Sequence, residues 1–101
     1  MAHGAEVLFD LSRALAESDV ASSHIGELGQ AVDAAWDLIN PHNAMELALV
    51  IGRELPQQAR PPFAEATRQL LQNRPDFERE MASNSANHCL QRVFDNDYED
   101  L

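Results

Sequence analysis

Apolar residues recur along most of the chain every three or four positions, which is the spacing of an amphipathic α-helix. The first apolar stripe lies in residues 6–17 and consists of Val7, Leu8, Leu11 and Leu15. The second and clearest stripe follows Ser22 or Ser23 as helix cap and consists of Ile25, Leu28, Val32, Trp36 and Ile39. These stripes predict two helices, and they place Trp36 in the core rather than on a binding surface.

A third helix is predicted to start at Asn40 and Pro41, because asparagine is a good N-cap and proline suits the first helical position. Its body, residues 45–55, is apolar on nearly all sides, so we expect it to be the most buried element. A short buried strand over residues 49–51 is the alternative, since Leu-Val-Ile also favours β-structure. Gly52, followed by Pro56, indicates where this element ends.

Prolines and poor helix formers divide the rest of the chain. Three prolines predict an extended connector over residues 56–62. Residues 73–75 separate the next helix from a last helical region. This region opens at Asp76, whose carboxylate suits the positive end of the helix dipole. It can break near residues 83–85, which are poor helix formers. The helix predicted between residues 62 and 73 has an apolar face made of Phe63, Ala66, Thr67, Leu70 and Leu71. Phe77 and Met81 provide the apolar face of the last region.

These segments predict an all-α fold, a single compact bundle of about five short helices. No stretch of the chain alternates like a strand, and no hairpin turn signal occurs. A length of 101 residues suits one domain, which we place at residues 1–94, followed by an acidic and flexible tail at residues 95–101. Neither a membrane span nor a secretion signal is apparent, so the expected location is the cytoplasm.

The chain is strongly acidic, with 17 carboxylates, 7 arginines, no lysine and a formal charge of −10. Most of the excess lies in residues 1–52, with a balance of −7, and in residues 80–101, with a balance of −4. Binding to phosphate groups needs a basic face, so the composition argues against direct contact with nucleic acid or anionic lipid. It favours a basic protein as the partner.

The candidate partner-binding residues are eight carboxylates: Glu27, Asp33, Asp37, Glu46, Asp95, Asp97, Glu99 and Asp100. Asp33 and Asp37 stand one helical turn apart on the polar side of the second helix, and no basic residue nearby in the sequence offsets them. A solvated polar face that contacts no partner is the alternative interpretation of this pattern.

No motif predicts a catalytic residue, a metal ion or a cofactor. The histidines at positions 3, 24, 42 and 88 include no pair at the spacing of three or four that places two ligands on one helix face. Glycine-rich phosphate loops and nucleophile motifs are absent from the sequence, and the acidic tail lacks the glycine and glutamate of a calcium loop. The single cysteine excludes an intrachain disulfide. A thiol- or metal-dependent activity through His88 and Cys89 is kept as an alternative.

The expected function is a small non-enzymatic interaction module, an adaptor or inhibitor, that binds a basic protein or a nucleic-acid-binding complex. In its sharpest form the protein is a nucleic-acid mimic whose carboxylates stand where phosphates would. Small acidic helical phage proteins that inhibit CRISPR complexes or restriction enzymes look similar in size and charge, although no motif here identifies such a family. An alternative from another class is an obligate homo-oligomer, at its simplest a homodimer, that buries the third helix or the Leu70-Leu71 face between subunits.

Overall fold

The computed structural model describes residues 24–99, and these form five α-helices with one short 3-10 helix and no strand. The elements are α1 (Ile25–Leu38), α2 (Pro41–Glu54), a 3-10 helix (Gln57–Ala59), α3 (Arg60–Gln72), α4 (Phe77–Ser83) and α5 (Asn87–Phe94). The prediction of a compact all-α bundle is confirmed. The alternative strand at residues 49–51 is wrong, because these residues lie inside α2. The helix predicted at residues 6–17 and the serines predicted to cap α1 lie outside the described residues.

The start of α2 is the one predicted from its sequence. The side-chain oxygen of Asn40 accepts a hydrogen bond from the backbone N–H of Asn43 at 2.7 Å. Pro41 follows in the first turn, where its missing N–H would have had no helical partner. By contrast, His24 occupies the N-cap position of α1 without a capping side-chain bond.

The expected extended connector over residues 56–62 is wrong. Residues 57–59 form the 3-10 helix, and α3 begins at Arg60, so that Pro61 and Pro62 occupy its first turn. Proline is tolerated there, because the first N–H groups of a helix have no intrahelical acceptor. Arg60 ties this corner to the end of α2, since its Nε and Nη2 donate to the carbonyls of Gly52 and Arg53 at 3.0 and 2.8 Å.

The core lies where α2 packs against α1 and α5 while α3 packs against α1. As predicted, α2 contributes the most buried residues, namely Ala44, Met45, Leu47, Ala48, Ile51 and Gly52. Trp36 is also buried, which confirms its predicted place in the core. From α3, Phe63, Thr67 and Leu71 are buried, while Leu70 keeps part of its surface exposed.

Gly52 lies inside the last turn of α2 rather than at its end, which is Glu54. A Cβ atom at position 52 would overlap the hydroxyl group of Tyr98, so the glycine allows the ring to lie directly against the α2 backbone. The Arg60 guanidinium stacks on the same ring, 4.7 Å from its centroid. Tyr98 therefore attaches the described part of the tail to α2, and the flexibility expected for residues 95–101 stays a prediction.

Tyr98 is the only tyrosine, so its ionisation can be followed directly by absorbance. Burial raises the pKa of the Tyr98 hydroxyl to about 12, and the charge of Arg60 opposes this rise. Because the fold favours the neutral phenol, its stabilising contribution is present below about pH 10 and is lost as pH rises through about 12. We expect the absorbance titration of the folded protein to have its midpoint near 12.

The variant Gly52→Ala should displace the Tyr98 ring and move this pKa toward the ordinary value of 10. Gly26→Ala is the matched control, because a Cβ atom at position 26 meets no other atom within 4 Å. A midpoint near 10 in the unmodified protein would contradict the packing of Tyr98 against α2.

Candidate interaction surface

Arg74 lies in the turn between α3 and α4 and reaches back to the polar side of α1. Its Nε donates to Asp33 Oδ1 at 2.8 Å, and its Nη1 and Nη2 donate to the two carboxylate oxygens of Asp37 at 2.8 and 2.9 Å. Nη2 also donates to the backbone carbonyl of Asp33 at 2.7 Å. The Arg74 side chain is only 16% exposed, so one arginine is held across one turn of α1. We call these three residues the Arg74 clamp.

The Arg74 clamp corrects the expectation that Asp33 and Asp37 have no counter-charge. Arg74 follows Asp33 by 41 positions, so nothing in the local sequence indicates the pairing. Hydrogen bonding from Arg74 holds the pKa of the Asp37 carboxyl below its ordinary value, against the opposing effect of desolvation. Both carboxylates already accept hydrogen bonds from an arginine of their own chain. Their role in partner binding stays a prediction.

Glu27 and Glu46 are exposed and lie next to histidines. Glu27 Oε2 is 2.9 Å from His24 Nδ1, and Glu46 Oε1 is 3.5 Å from His42 Nε2. An imidazole is positive only when it is protonated, so these two carboxylates have no permanent counter-charge in their histidines. Each of these carboxylates thus has as its neighbour a histidine three or four positions earlier in the chain.

The predicted carboxylates of the tail have different surroundings. Asp97 Oδ1 lies 3.8 Å from Arg92 Nη2, whereas the Asp95 carboxylate accepts a hydrogen bond from the neutral Gln91 side chain at 3.1 Å. The carboxylate of Glu99 forms no ion pair with any arginine of residues 24–99, although its backbone carbonyl accepts a hydrogen bond from Arg92. Asp100 lies outside the described residues.

A shallow groove separates α4 from α5, which are consecutive helices joined by residues 84–86. It consists of two adjoining hollows of about 480 and 380 Å³ that share Met81 and Gln91. None of the residues of α4 is fully buried, because Phe77 and Met81 pack against the core with one side and keep part of their surface exposed in the groove. The apolar lining consists of Phe77, Met81, Ala82 and Phe94. We call this feature the α4–α5 groove.

Two carboxylates border the α4–α5 groove, and one of them was not selected from the sequence. Glu78 lines the larger hollow and forms no ion pair with an arginine of the described chain, and Asp95 lines the smaller hollow. Glu78 was missed because it lies in the one segment whose charge balance, +1 for residues 53–79, is not acidic. The apolar pattern of Phe77 and Met81 was the only available signal for this surface.

A row of aromatic rings joins the groove to the core. The ring centroids of Trp36 and Phe77 are 6.2 Å apart, and those of Phe77 and Phe94 are 6.4 Å apart. The Trp36 indole N–H donates to Asp76 Oδ2 at 3.2 Å. Asp76 stands at the N-cap of α4, where the last helical region was predicted to open, and its side chain bonds the indole rather than a backbone N–H of the helix. Phe77, which lines the groove, therefore packs against a tryptophan whose indole is held by a hydrogen bond.

The side chains of Cys89 and His88 are in contact, but the surroundings of the thiol disfavour its ionised form. Burial raises the pKa of the Cys89 thiol, and the negative charge of Glu46 raises it further. His88 Nε2 is 3.6 Å from the sulfur, while His88 Nδ1 lies 2.8 Å from the Ser85 carbonyl. A buried thiol with a raised pKa is a poor nucleophile at neutral pH. No three metal-ligand side chains come together within residues 24–99, so this geometry gives the thiol or metal alternative no support.

No protein-family model matches the chain. Comparison with curated proteins and with solved structures likewise finds no match. None of the helices in residues 24–99 has the length and apolar character needed to cross a membrane. The function is therefore inferred from the groove and the charges described above.

Proposed function

We propose that this protein is a small non-enzymatic interaction module, an adaptor or inhibitor, that binds a basic protein. The observation that carries the proposal is the apolar α4–α5 groove bordered by Glu78 and Asp95, whose charges no arginine of residues 24–99 neutralises. Half-exposed aromatic and methionine side chains beside unpaired charge are typical of surfaces that bind other proteins.

The distribution of arginines supports an anionic exterior. Residues 24–99 contain twelve carboxylates and six arginines, a formal charge of −6. Five of these arginines lie within 4.0 Å of a carboxylate of the same chain, namely Arg53, Arg68, Arg74, Arg79 and Arg92. The sixth, Arg60, donates to two backbone carbonyls. The arginines of residues 24–99 therefore contact groups of their own chain. The carboxylates in excess over these arginines give the surface a negative charge that attracts a basic partner.

The narrower hypothesis of a nucleic-acid mimic, such as an inhibitor of CRISPR or restriction complexes, has less support than the general one. A mimic needs carboxylates that are free to accept hydrogen bonds from the basic residues of its target. The Arg74 clamp already occupies Asp33 and Asp37 in this way. We therefore propose a module for a basic protein without assigning a phosphate-like array.

The alternative of an obligate homo-oligomer also loses its main motivation. The apolar third helix of the sequence, α2, is covered by α1 and α5 of the same chain. Its large side chains Leu47 and Ile51 are fully buried without a second copy. Leu71 is buried as well, which leaves only the half-exposed Leu70 from the predicted α3 interface.

Affinity capture with two charge-matched variants tests the proposed function. The first variant removes the three carboxylates of residues 24–99 that have neither an arginine nor a histidine partner, Glu78→Gln, Asp95→Asn and Glu99→Gln. The control variant removes three exposed carboxylates on other helices, Glu27→Gln, Glu46→Gln and Glu65→Gln. The tagged proteins are incubated with cell extract at about 0.05 M and about 0.5 M salt, and bound proteins are identified by mass spectrometry.

We expect the unmodified protein to capture a basic protein at low salt and to release most of it at high salt. The first variant should retain about tenfold less of it, whereas the control variant should retain most of it. Equal losses in both variants would show that only net charge matters. Failure to capture any basic protein at low salt would contradict the proposal.

A further inference from the structure

We propose that the α4–α5 groove binds an amphipathic α-helix of the partner, through two apolar side chains one turn apart and through flanking lysine or arginine residues. This inference rests on the proposed function and specifies which part of the partner is recognised. It follows from the dimensions of the groove, from its lining and from its charges.

The dimensions of the groove suit a short length of helix. α4 has 7 residues and α5 has 8, so at about 1.5 Å per residue each helix that borders the groove is about 10–12 Å long. That length equals about two helical turns, which present two apolar side chains at spacing i, i+4 to the same face. A groove between two helices accepts the side-chain ridge of a third. Residues 24–99 offer no sheet edge to which a partner strand could add.

The lining of the groove suits apolar anchors. Phe77, Met81 and Phe94 are partly buried and pack against the core, so their positions are held while one face of each stays accessible. Aromatic rings and a thioether adapt to apolar side chains of differing shape. Ala82 is exposed in the same lining, and its small side chain leaves room above the helix surface.

The charges of the groove decide which helix fits. Glu78 lines one hollow and Asp95 the other, and neither has an arginine partner in the described chain. Arg92, the arginine that lines the smaller hollow, is held by Asp97 and by the carbonyls of residues 97 and 99. The groove therefore offers two anionic positions to a cationic flank. Residues 6–17 of this chain also have an apolar stripe, but they carry three carboxylates against one arginine and complement the groove poorly.

A synthetic peptide provides the test. The probe is an alanine-based helix with two leucines four positions apart and lysines on both sides, and binding is followed by amide chemical shifts of the full-length protein. We expect shifts concentrated in α4 and α5. Ala82→Arg should weaken binding by about tenfold or more, because the long cationic side chain fills the groove and repels lysine. Ser83→Arg is the matched control, since it adds the same charge at the next exposed residue, which does not line the groove.

The inference is wrong if Ser83→Arg weakens binding as much as Ala82→Arg, or if a peptide with glutamate in place of lysine binds equally well. Tighter binding of a synthetic peptide of residues 6–17 would assign the groove to this chain instead. Concentration-dependent shifts in α4 and α5 without any peptide would assign it to a second copy. If Ala82→Arg still captures the basic protein while the Glu78, Asp95 and Glu99 variant does not, the proposed function stands and the helix-in-groove inference fails.

Discussion

Replacing Arg74 with alanine is expected to lower the free energy of unfolding by about 2 kcal/mol. The substitution removes four hydrogen bonds, three of them to carboxylates, and it leaves the half-buried Asp33 without its counter-charge. The exposure of Asp37 to water keeps the loss below that of a fully buried ion pair. For a domain of this size the change corresponds to a Tm about 10 °C lower, which thermal unfolding followed by circular dichroism measures.

The matched control for this prediction is Arg79→Ala. Arg79 is 73% exposed, and its closest carboxylate oxygens are 3.8 and 3.9 Å away, so its loss should change stability by less than about 0.5 kcal/mol. Arg74→Lys should resemble Arg74→Ala, because one ammonium group cannot span both carboxylates and the Asp33 carbonyl. Equal destabilisation by Arg74→Ala and Arg79→Ala would contradict the clamp.

The clamp also has a pH signature. Since the pKa of Asp37 is lower in the folded protein than its ordinary value of 3.8, its contribution is present above that value and is lost as pH falls through the folded pKa. The unmodified protein should therefore lose stability below about pH 4 more steeply than Arg74→Ala does. Parallel acid unfolding curves for the two proteins would show that Asp37 is not held by Arg74.

Replacing Phe63 with alanine is expected to cost about 3–5 kcal/mol of unfolding free energy. Phe63 is fully buried, and its removal would leave a cavity lined by residues that cannot all move inward. Because a domain of this kind has only about 5–15 kcal/mol of stability, the variant should unfold at a much lower urea concentration.

Comparing the stability of Phe77→Ala with that of Phe63→Ala distinguishes a residue of the groove lining from a residue of the core. Phe77 is the same residue type but keeps part of its surface exposed, so its removal should cost about 1–2 kcal/mol. A larger loss from Phe77→Ala than from Phe63→Ala would place Phe77 in the core and remove it from the groove lining. The expected order leaves a variant of Phe77 that is still folded and can be used in binding experiments.

The clamp and the groove meet at Trp36. The Arg74 guanidinium lies 5.7 Å from the Trp36 ring centroid, and the ring is followed by Phe77 at 6.2 Å. The indole N–H is held by Asp76, at the start of α4. Contacts from the α3–α4 turn and from α4 therefore hold this tryptophan of α1 in place behind the groove. Its fluorescence offers a second readout for peptide binding, since Trp36 is the only tryptophan.

Local spacing was sufficient to predict much of the fold. The apolar stripe that contains Leu28, Val32 and Trp36 predicted α1 and its buried face. Asn40 and Pro41 predicted the start of α2, and the poor helix formers at residues 83–85 predicted the break between α4 and α5. These features depend on residues within one or two turns of each other, so the sequence alone contains them. The prediction for Pro61 and Pro62 was wrong, because proline suits both an extended connector and the first turn of a helix.

The sequence by itself determined that this chain is an acidic bundle of helices with Trp36 inside. Only the tertiary structure decided which carboxylates remain without an arginine partner, because Arg74, 41 positions after Asp33, pairs with two carboxylates of α1 that look free in the sequence. Tyr98 against Gly52 and the α4–α5 groove were likewise decided by packing. The apolar periodicity of a helix depends on residues close together in the sequence. Ion pairs and grooves between helices depend on how distant segments pack, and the spacing of residues within one helix does not determine that packing.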